Sequence, residues 1–346
     1  MGKLFTQATN AELLSAQRIR WVDYAKGVGI FLVVFGHALG SLVDSSILEP
    51  SIIVRASYQW IYAFHMPLFF FISGLFVHRS ASKPLTKFVV DKFMVIAYPY
   101  FVWSVLQTVL QVVLSRHVNH PATLADLWQI TYKPILEFWF LYTLFVILLI
   151  YAVAHKLRVS PVQFLVLSIL FYYLPRNVEL GSWGVLYLVK YYALYLAIGA
   201  LVGTTGAISG LRQLKTPLLL TIASCGFLAV GLAVWLNLVS NELLKPEVAL
   251  FGIIASVALS ILLERFSMTG FIEQWGRSSL EIYVAHTIAS AVVRIGLQKS
   301  CSFVEPSTHL ILETAVGIYA PIVLQKICYR NGFSYMFTLR PNSLST

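Results

Sequence analysis

Charge is what this sequence has least of. Only 12% of its 346 residues are Asp, Glu, Lys or Arg, against roughly 25% in soluble domains, whose surfaces need them. With 58% hydrophobic residues and a mean hydropathy of +0.77, that scarcity excludes a water-soluble fold. Cysteine is sparse too: Cys225, Cys301 and Cys328 are odd in number and fall in different predicted layers, so neither a disulfide framework nor metal-type spacing is implied. No fixed-period repeat or low-complexity tract is present, and no soluble domain interrupts the apolar segments. The first of these follows about 24 mostly polar residues, lacks an Ala-x-Ala-like exit and carries Lys26 and His37, so it reads as a retained helix rather than a cleaved signal.

What is present is a succession of apolar runs, each near the roughly 20 residues that a bilayer core requires. Spans are expected at about 25–43, 58–77, 93–115, 135–154, 162–175, 185–204, 217–239, 248–264, 279–297 and 308–328, the fifth being short. The net charge of +10 does not point to nucleic acid, because the basic residues sit in alternate loops. About sixteen fall on one side and about seven on the other, and the positive-inside rule makes the richer side cytoplasmic. The expected architecture is an all-α integral membrane protein of about ten transmembrane helices in one bundle, with both termini cytoplasmic. A cytoplasmic N-terminal segment (1–24) and a cytoplasmic tail (329–346) flank a transmembrane domain (25–328).

Ionisable side chains inside such spans cost roughly 2.5–3.5 kcal/mol each on insertion scales, which makes them functional candidates. Lys26 and His37 in the first span are eleven residues apart, about three turns, so they share one helix face about 16 Å apart. That register suits a long ligand with an anionic end at the cytoplasmic interface and a reactive end deep in the membrane. A coenzyme A thioester is such a ligand, with its phosphates at Lys26 and its thioester at His37, an imidazole able to act as general base. The blander alternatives are that Lys26 snorkels at the interface and His37 hydrogen-bonds a neighbouring helix. Gly36 and Gly40 flank His37 as a small-xxx-small face that would let another backbone approach.

The second span carries His65 at the depth of His37, beside Pro67, which can kink the helix there. The fourth carries Glu137, a carboxylate able to orient a histidine or, equally, an interfacial residue beside Phe138, Trp139 and Phe140. Lys190, Glu281 and His286 complete the intramembrane set, each as readily a structural partner as a site residue. Lys83, Lys87 and Lys92 precede Tyr98-Pro99-Tyr100 and offer further phosphate contacts, though a cytoplasmic loop would be basic in any case.

These segments resemble the bacterial membrane acyltransferase family 3, whose members O-acetylate lipopolysaccharide, exopolysaccharide and Nod factors. Asp23-Tyr-Ala-Lys26 followed by ten residues and His37 is similar to the family's first motif. Phe64-His65-Met66-Pro67 through Gly74, Phe138-Trp139-Phe140-Leu141, and Ser279-Leu280-Glu281 through His286 are similar to three more. The resemblance implies an acetyl-CoA donor (or succinyl-CoA), a carbohydrate or lipid-linked saccharide acceptor, and a bacterial inner-membrane location. It implies an essential His, here His37, with His65 and Glu137 beside it and Lys26, Lys87 and Lys92 on the donor. Many members have an Arg pair before the third helix where this chain has lysines. No metal is expected. An acyl-histidine intermediate is as compatible with these residues as general-base catalysis. The rival class is a proton-coupled transporter or flippase of a glycan or anionic solute, with His37, His65, Glu137 and Lys190 as a proton relay.

Overall fold

The computed structural model describes residues 19–113, 123, 125–175, 178–267, 270–300 and 305–339. Residues 1–18 of the expected N-terminal segment, the end of the tail from 340, residues 114–122 and 124 between the third and fourth expected spans, and Cys301 lie outside them. Among the described residues every regular element is helical, as a lipid-embedded backbone requires, since only a helix satisfies its own N–H and C=O groups within one segment.

The long helices are α1 (Arg20–Asp44) and α2 (Ile52–Leu75), followed by the short α3 (Val77–Ala81). Next, α4 (Leu85–Lys92) runs through a π turn (Phe93–Ala97) into α5 (Tyr98–Val113), and the one-turn α6 (Asp126–Gln129) leads to a 3-10 turn (Leu136–Phe138) that opens α7 (Trp139–Lys156). After these come α8 (Pro161–Tyr172), α9 (Val185–Thr204), the short α10 (Ala207–Gln213), α11 (Thr216–Trp235) and α12 (Lys245–Phe266). The chain then forms α13 (Gly270–Arg277), α14 (Ser279–Ser300) and α15 (Pro306–Arg330). Proline opens α8, α11, α12 and α15, where its missing N–H costs nothing and its fixed φ favours the first turn. At α8 a Ser160/Gln163 capping box completes the start.

Among the described residues eight helices are long and apolar enough to cross a membrane. The 24-residue α2 is not among them, because Arg55, Gln59, His65 and its tyrosines dilute its hydropathy, yet it packs against α1, α9 and α12 in the middle of the bundle. Helix α8, the short fifth span, has 12 residues, or about 18 Å at 1.5 Å per residue, less than the bilayer core. The third span starts earlier than its hydropathy suggests: apolar helix is continuous over Leu85–Val113, which puts Lys87 and Lys92 on its first turns. Pro99 cannot donate to the carbonyl four residues back, and the π turn just before it accommodates that gap.

Helix α1 is the hub, touching α2, α12, α13, α14 and α15. Helix α13 crosses it at two glycines: a Cβ on Gly276 would fall 1.7 Å from the Asp23 carbonyl oxygen, and one on Gly27 would fall 2.0 Å from that of Ile272. Large apolar side chains remain uncovered on the outer faces, among them Leu170, Leu228, Ile311 and Val323. They form the surface a lipid bilayer would cover.

Candidate active site

Lys26 and His37 lie on one uninterrupted helix, α1, so their three-turn separation of about 16 Å is a real spacing. What α1 does not supply comes from α14. The rings of His37 and His286 lie 5.2 Å apart between centroids. His286 Nδ1 donates to the carbonyls of Ile282 and Tyr283, at 3.1 and 2.8 Å. Carbonyl oxygens only accept, so the proton is on Nδ1 and the lone pair on Nε2. That Nε2 is buried and has no hydrogen-bond partner among the described residues. His37 makes no side-chain hydrogen bond among the described residues; its neighbours are the rings of His286 and of Tyr62, the latter at 6.2 Å.

Glu137 reaches the same place from the turn before α7. Leu136 sits at φ 43°, a left-handed backbone that a leucine adopts only under constraint. The constraint is visible on α14: Thr287 donates to Glu137 Oε1 at 2.6 Å, and the Tyr283 hydroxyl donates to the Glu137 main-chain carbonyl. Three neighbouring positions of α14 therefore hold Glu137 and present the second imidazole. One and two turns further, Ser290 and Arg294 continue the His286 face at i+4 and i+8. Arg294 is buried, donates to the Ser41 carbonyl at 3.4 Å and to the Ser45 hydroxyl, and its Nε has no partner among the described residues.

His37, His286, Glu137, Tyr62 and Arg294 line one cavity of about 370 Å³ that extends to Asp44, at the C-terminal end of α1. Gly36 and Gly40 do border this region, but they receive rings rather than a backbone. Built Cβ atoms there would lie 3.2 Å from Tyr62 and 3.4 Å from Tyr58, and these two rings stack at 4.0 Å.

The remaining expected residues stand elsewhere. His65 is buried outside the cavity lining; its Nδ1 donates to the Ile61 carbonyl at 2.8 Å and its ring meets Tyr62 edge-on at 4.7 Å. It therefore stands behind Tyr62. Lys26 is half-buried near the other end of α1, Lys87 is exposed, and Lys92 is half-buried with its ammonium 5.6 Å over the Phe88 ring. None of the three lines the His37 cavity. Glu281 accepts from Gln325 at 2.7 Å, and Lys190 donates to the Leu174 carbonyl at 2.7 Å. Among the described residues no group of three or more His, Cys, Asp or Glu could hold a metal ion.

At the α1 N-terminal end, Glu273 of α13 pairs with Arg20 at 2.9 Å and with Arg277, which also lies 3.8 Å from Asp23. Burial pushes the Glu273 carboxyl up, but hydrogen bonds and charge from the two guanidinium groups outweigh it and hold the group below its ordinary value.

Among the described residues, two histidines, one with an unpartnered nitrogen, and a clamped carboxylate thus meet on one cavity inside a polytopic helical bundle. The chain belongs to the acyltransferase 3 family: the family model, described as an acyltransferase domain, matches residues 19–325. The protein is accordingly a multi-pass membrane protein of that family. It is also similar to the nodulation protein NolL of Mesorhizobium japonicum (strain LMG 29417 / CECT 9101 / MAFF 303099), at 32% identity over 130 residues. That stretch covers 36% of this chain and 32% of the relative, so the chain matches about a third of that protein's length. No solved structure matches.

Proposed function

We propose that the protein transfers an acetyl group from acetyl-CoA to a hydroxyl of a carbohydrate or lipid-linked saccharide, with His37 as general base. Succinyl-CoA is the alternative donor. The observation that carries the reading is the His37–His286 pair on one cavity, 5.2 Å apart, with the His286 Nε2 lone pair unpartnered.

Lys26 stands about 16 Å from His37, toward the end proposed as cytoplasmic, a spacing suited to a pantetheine arm whose donor phosphates meet the cation. The acceptor enters the cavity from its Asp44 side, the end proposed as extracytoplasmic. His37 removes the hydroxyl proton as the oxygen attacks the thioester carbonyl. The C–S bond then breaks, the acetyl group stays on the acceptor oxygen as an ester, and the CoA thiolate leaves and takes the proton back from His37. His286 faces the developing imidazolium with a fixed acceptor nitrogen, and Glu137 adds a negative charge across the cavity. His65 acts through Tyr62, whose position it fixes. Lys87 and Lys92 extend the cationic approach for the donor on the first turns of α4. Arg294, the cation lining the cavity, is the group proposed to offset charge on the carbonyl oxygen.

Thiol release from acetyl-CoA by the protein in lipid, with and without a glycan extract, tests this. Acceptor-dependent release that His37→Ala abolishes at unchanged folded yield supports the reading. No release with acetyl- or succinyl-CoA, alongside glycan or proton flux, moves the function to transport. Acetyl label retained on His37 without acceptor replaces the base by an acyl-histidine.

A further inference from the structure

A second cavity, of about 490 Å³, lies on the other side of Tyr58 and Tyr62, which line both. It is bordered by α2, α8, α9, the turn 238–240 and the start of α12, and its character is unlike that of a lipid-facing groove. Tyr172, Tyr191, Tyr192 and Tyr195 join Tyr58 and Tyr62 around it, with Glu242 and Lys245 at one side. The rings are held in place. Tyr191 donates to Glu242 Oε1 at 3.1 Å, Tyr172 donates to the Glu242 carbonyl at 3.0 Å, and the two rings meet edge-on at 5.7 Å. Lys190, unused by the chemistry above, is buried with its ammonium 5.6 Å over the Tyr191 ring while it donates to the Leu174 carbonyl. It therefore ties Tyr191 to the corner after α8 and stiffens that wall.

A volume in the range of small-molecule sites, lined by aromatic faces with a few convergent polar groups, selects for a ligand that is itself two-sided. A pyranose is such a ligand: its C–H face lies against an aromatic ring while its hydroxyls reach phenols and a carboxylate at the ring edges. A lipid tail has no use for six phenolic hydroxyls and a carboxylate, and for a bare anion Glu242 offsets the attraction of Lys245.

We propose that this tyrosine-lined cavity is the acceptor's saccharide subsite: it holds the sugar unit next to the one being acylated, and the Tyr58–Tyr62 stack is the ridge over which the chain passes into the His37 cavity. This rests on the acyl-transfer reading, and it makes the preferred acceptor at least two sugar units long. It also gives the 12-residue α8 a purpose, since a helix that stops short leaves its C-terminal Tyr172 to form a wall of the groove.

The test is steady-state transfer from acetyl-CoA to oligosaccharides released by mild acid from the source organism's envelope, with donor and acceptor varied separately. Tyr191→Ala is expected to raise the acceptor KM roughly tenfold, the usual scale for truncating a well-packed aromatic anchor, without moving the acetyl-CoA KM. Tyr191→Phe, which keeps the ring, and Glu242→Gln, which keeps the fold if Tyr191→Ala does not, are expected to raise it less. An unchanged acceptor KM in all three, or a shift in the donor KM instead, overturns the subsite. Should the wild type transfer nothing, the acyl-transfer reading falls by itself, and saturation-transfer NMR with the same oligosaccharides judges the groove. Signal lost in Tyr191→Ala supports it; equal signal in wild type and variant, or displacement only by phospholipid, overturns it.

Discussion

His286 becomes chemically informative only when its neighbours are known. In sequence it is one more histidine in an apolar helix, and such residues are more often satisfied partners than bases. Its Nδ1 is committed to two carbonyls, which leaves the other nitrogen as a buried acceptor beside His37. Loss of a positioned general base costs typically 10²–10⁴-fold in rate, so His37→Ala is expected to lose activity on that scale. His286→Ala should follow closely, with little further loss in the double variant, because the two act as one unit. Transfer assays on the three variants decide it, and independent, multiplying losses would mean that the histidines serve different steps. Glu137→Gln keeps the shape and the Thr287 contact but removes the charge. It is expected to lower kcat and leave the acetyl-CoA KM in place, and a change confined to that KM would assign Glu137 to donor binding instead.

Parts of the site were legible at this scale. The Lys26–His37 register follows from helix geometry alone, and Glu137 stood out because a carboxylate in a span is costly. Arg294 is harder to place from sequence, because basic residues near span ends are ordinarily read as loop charges; the repeat His286, Ser290, Arg294 along one helix face was the signal available. Tyr58 and Tyr62 gave none, since aromatic residues near a membrane interface are commonplace.

Among the short helices that sequence patterning does not reveal, α13 has the closest packing role. It is short, it is not apolar enough to be a span, and its role is to cross the start of α1 where Gly276 and Gly27 remove the side chains that would collide. Gly276→Ala leaves the new methyl no space against backbone that cannot move aside. It is expected to cost at least the roughly 1–3 kcal/mol typical of overpacking, seen as a lower unfolding temperature in detergent; wild-type stability would mean that α13 swings away from α1. The same contact has a pH signature through Glu273. Its folded-state value lies below the ordinary one, so its stabilisation is present above the unfolded carboxyl value and is lost as pH falls through the folded one. Because Arg20 and Arg277 are about half exposed, solvent screening limits the contribution to roughly 1 kcal/mol. Glu273→Gln should therefore lower stability near neutral pH and approach wild type in acid, and parallel stability curves would remove the pair from the account.

For the molecule as a whole, hydropathy located most helices to within a few residues, because lipid imposes one length and one chemistry on every span. The two expected spans that fall short of a full apolar crossing border the cavities: α2, expected at 58–77, carries His65, Pro67, Tyr58 and Tyr62, and the short α8, expected at 162–175, frames the second cavity. The charge bias makes a directional proposal: the Arg20, Glu273 and Arg277 end is cytoplasmic, and the Asp44 and Glu242 end is not. Single cysteines placed at Ser82 and Asn241, with the native cysteines replaced, should be labelled by a membrane-impermeant maleimide from opposite faces of intact cells and inverted vesicles. Labelling of both from one face would refute the topology.

The most direct test of the central claim uses sealed vesicles of known orientation, with ¹³C-acetyl-CoA on the Lys26 side only and envelope oligosaccharides on the Asp44 side only. Mass spectrometry then reads where the label goes. Labelled acetyl esters are expected on the oligosaccharides in wild type and none in His37→Ala. Label that stays on CoA in both, while saccharide or protons cross the membrane, would contradict it.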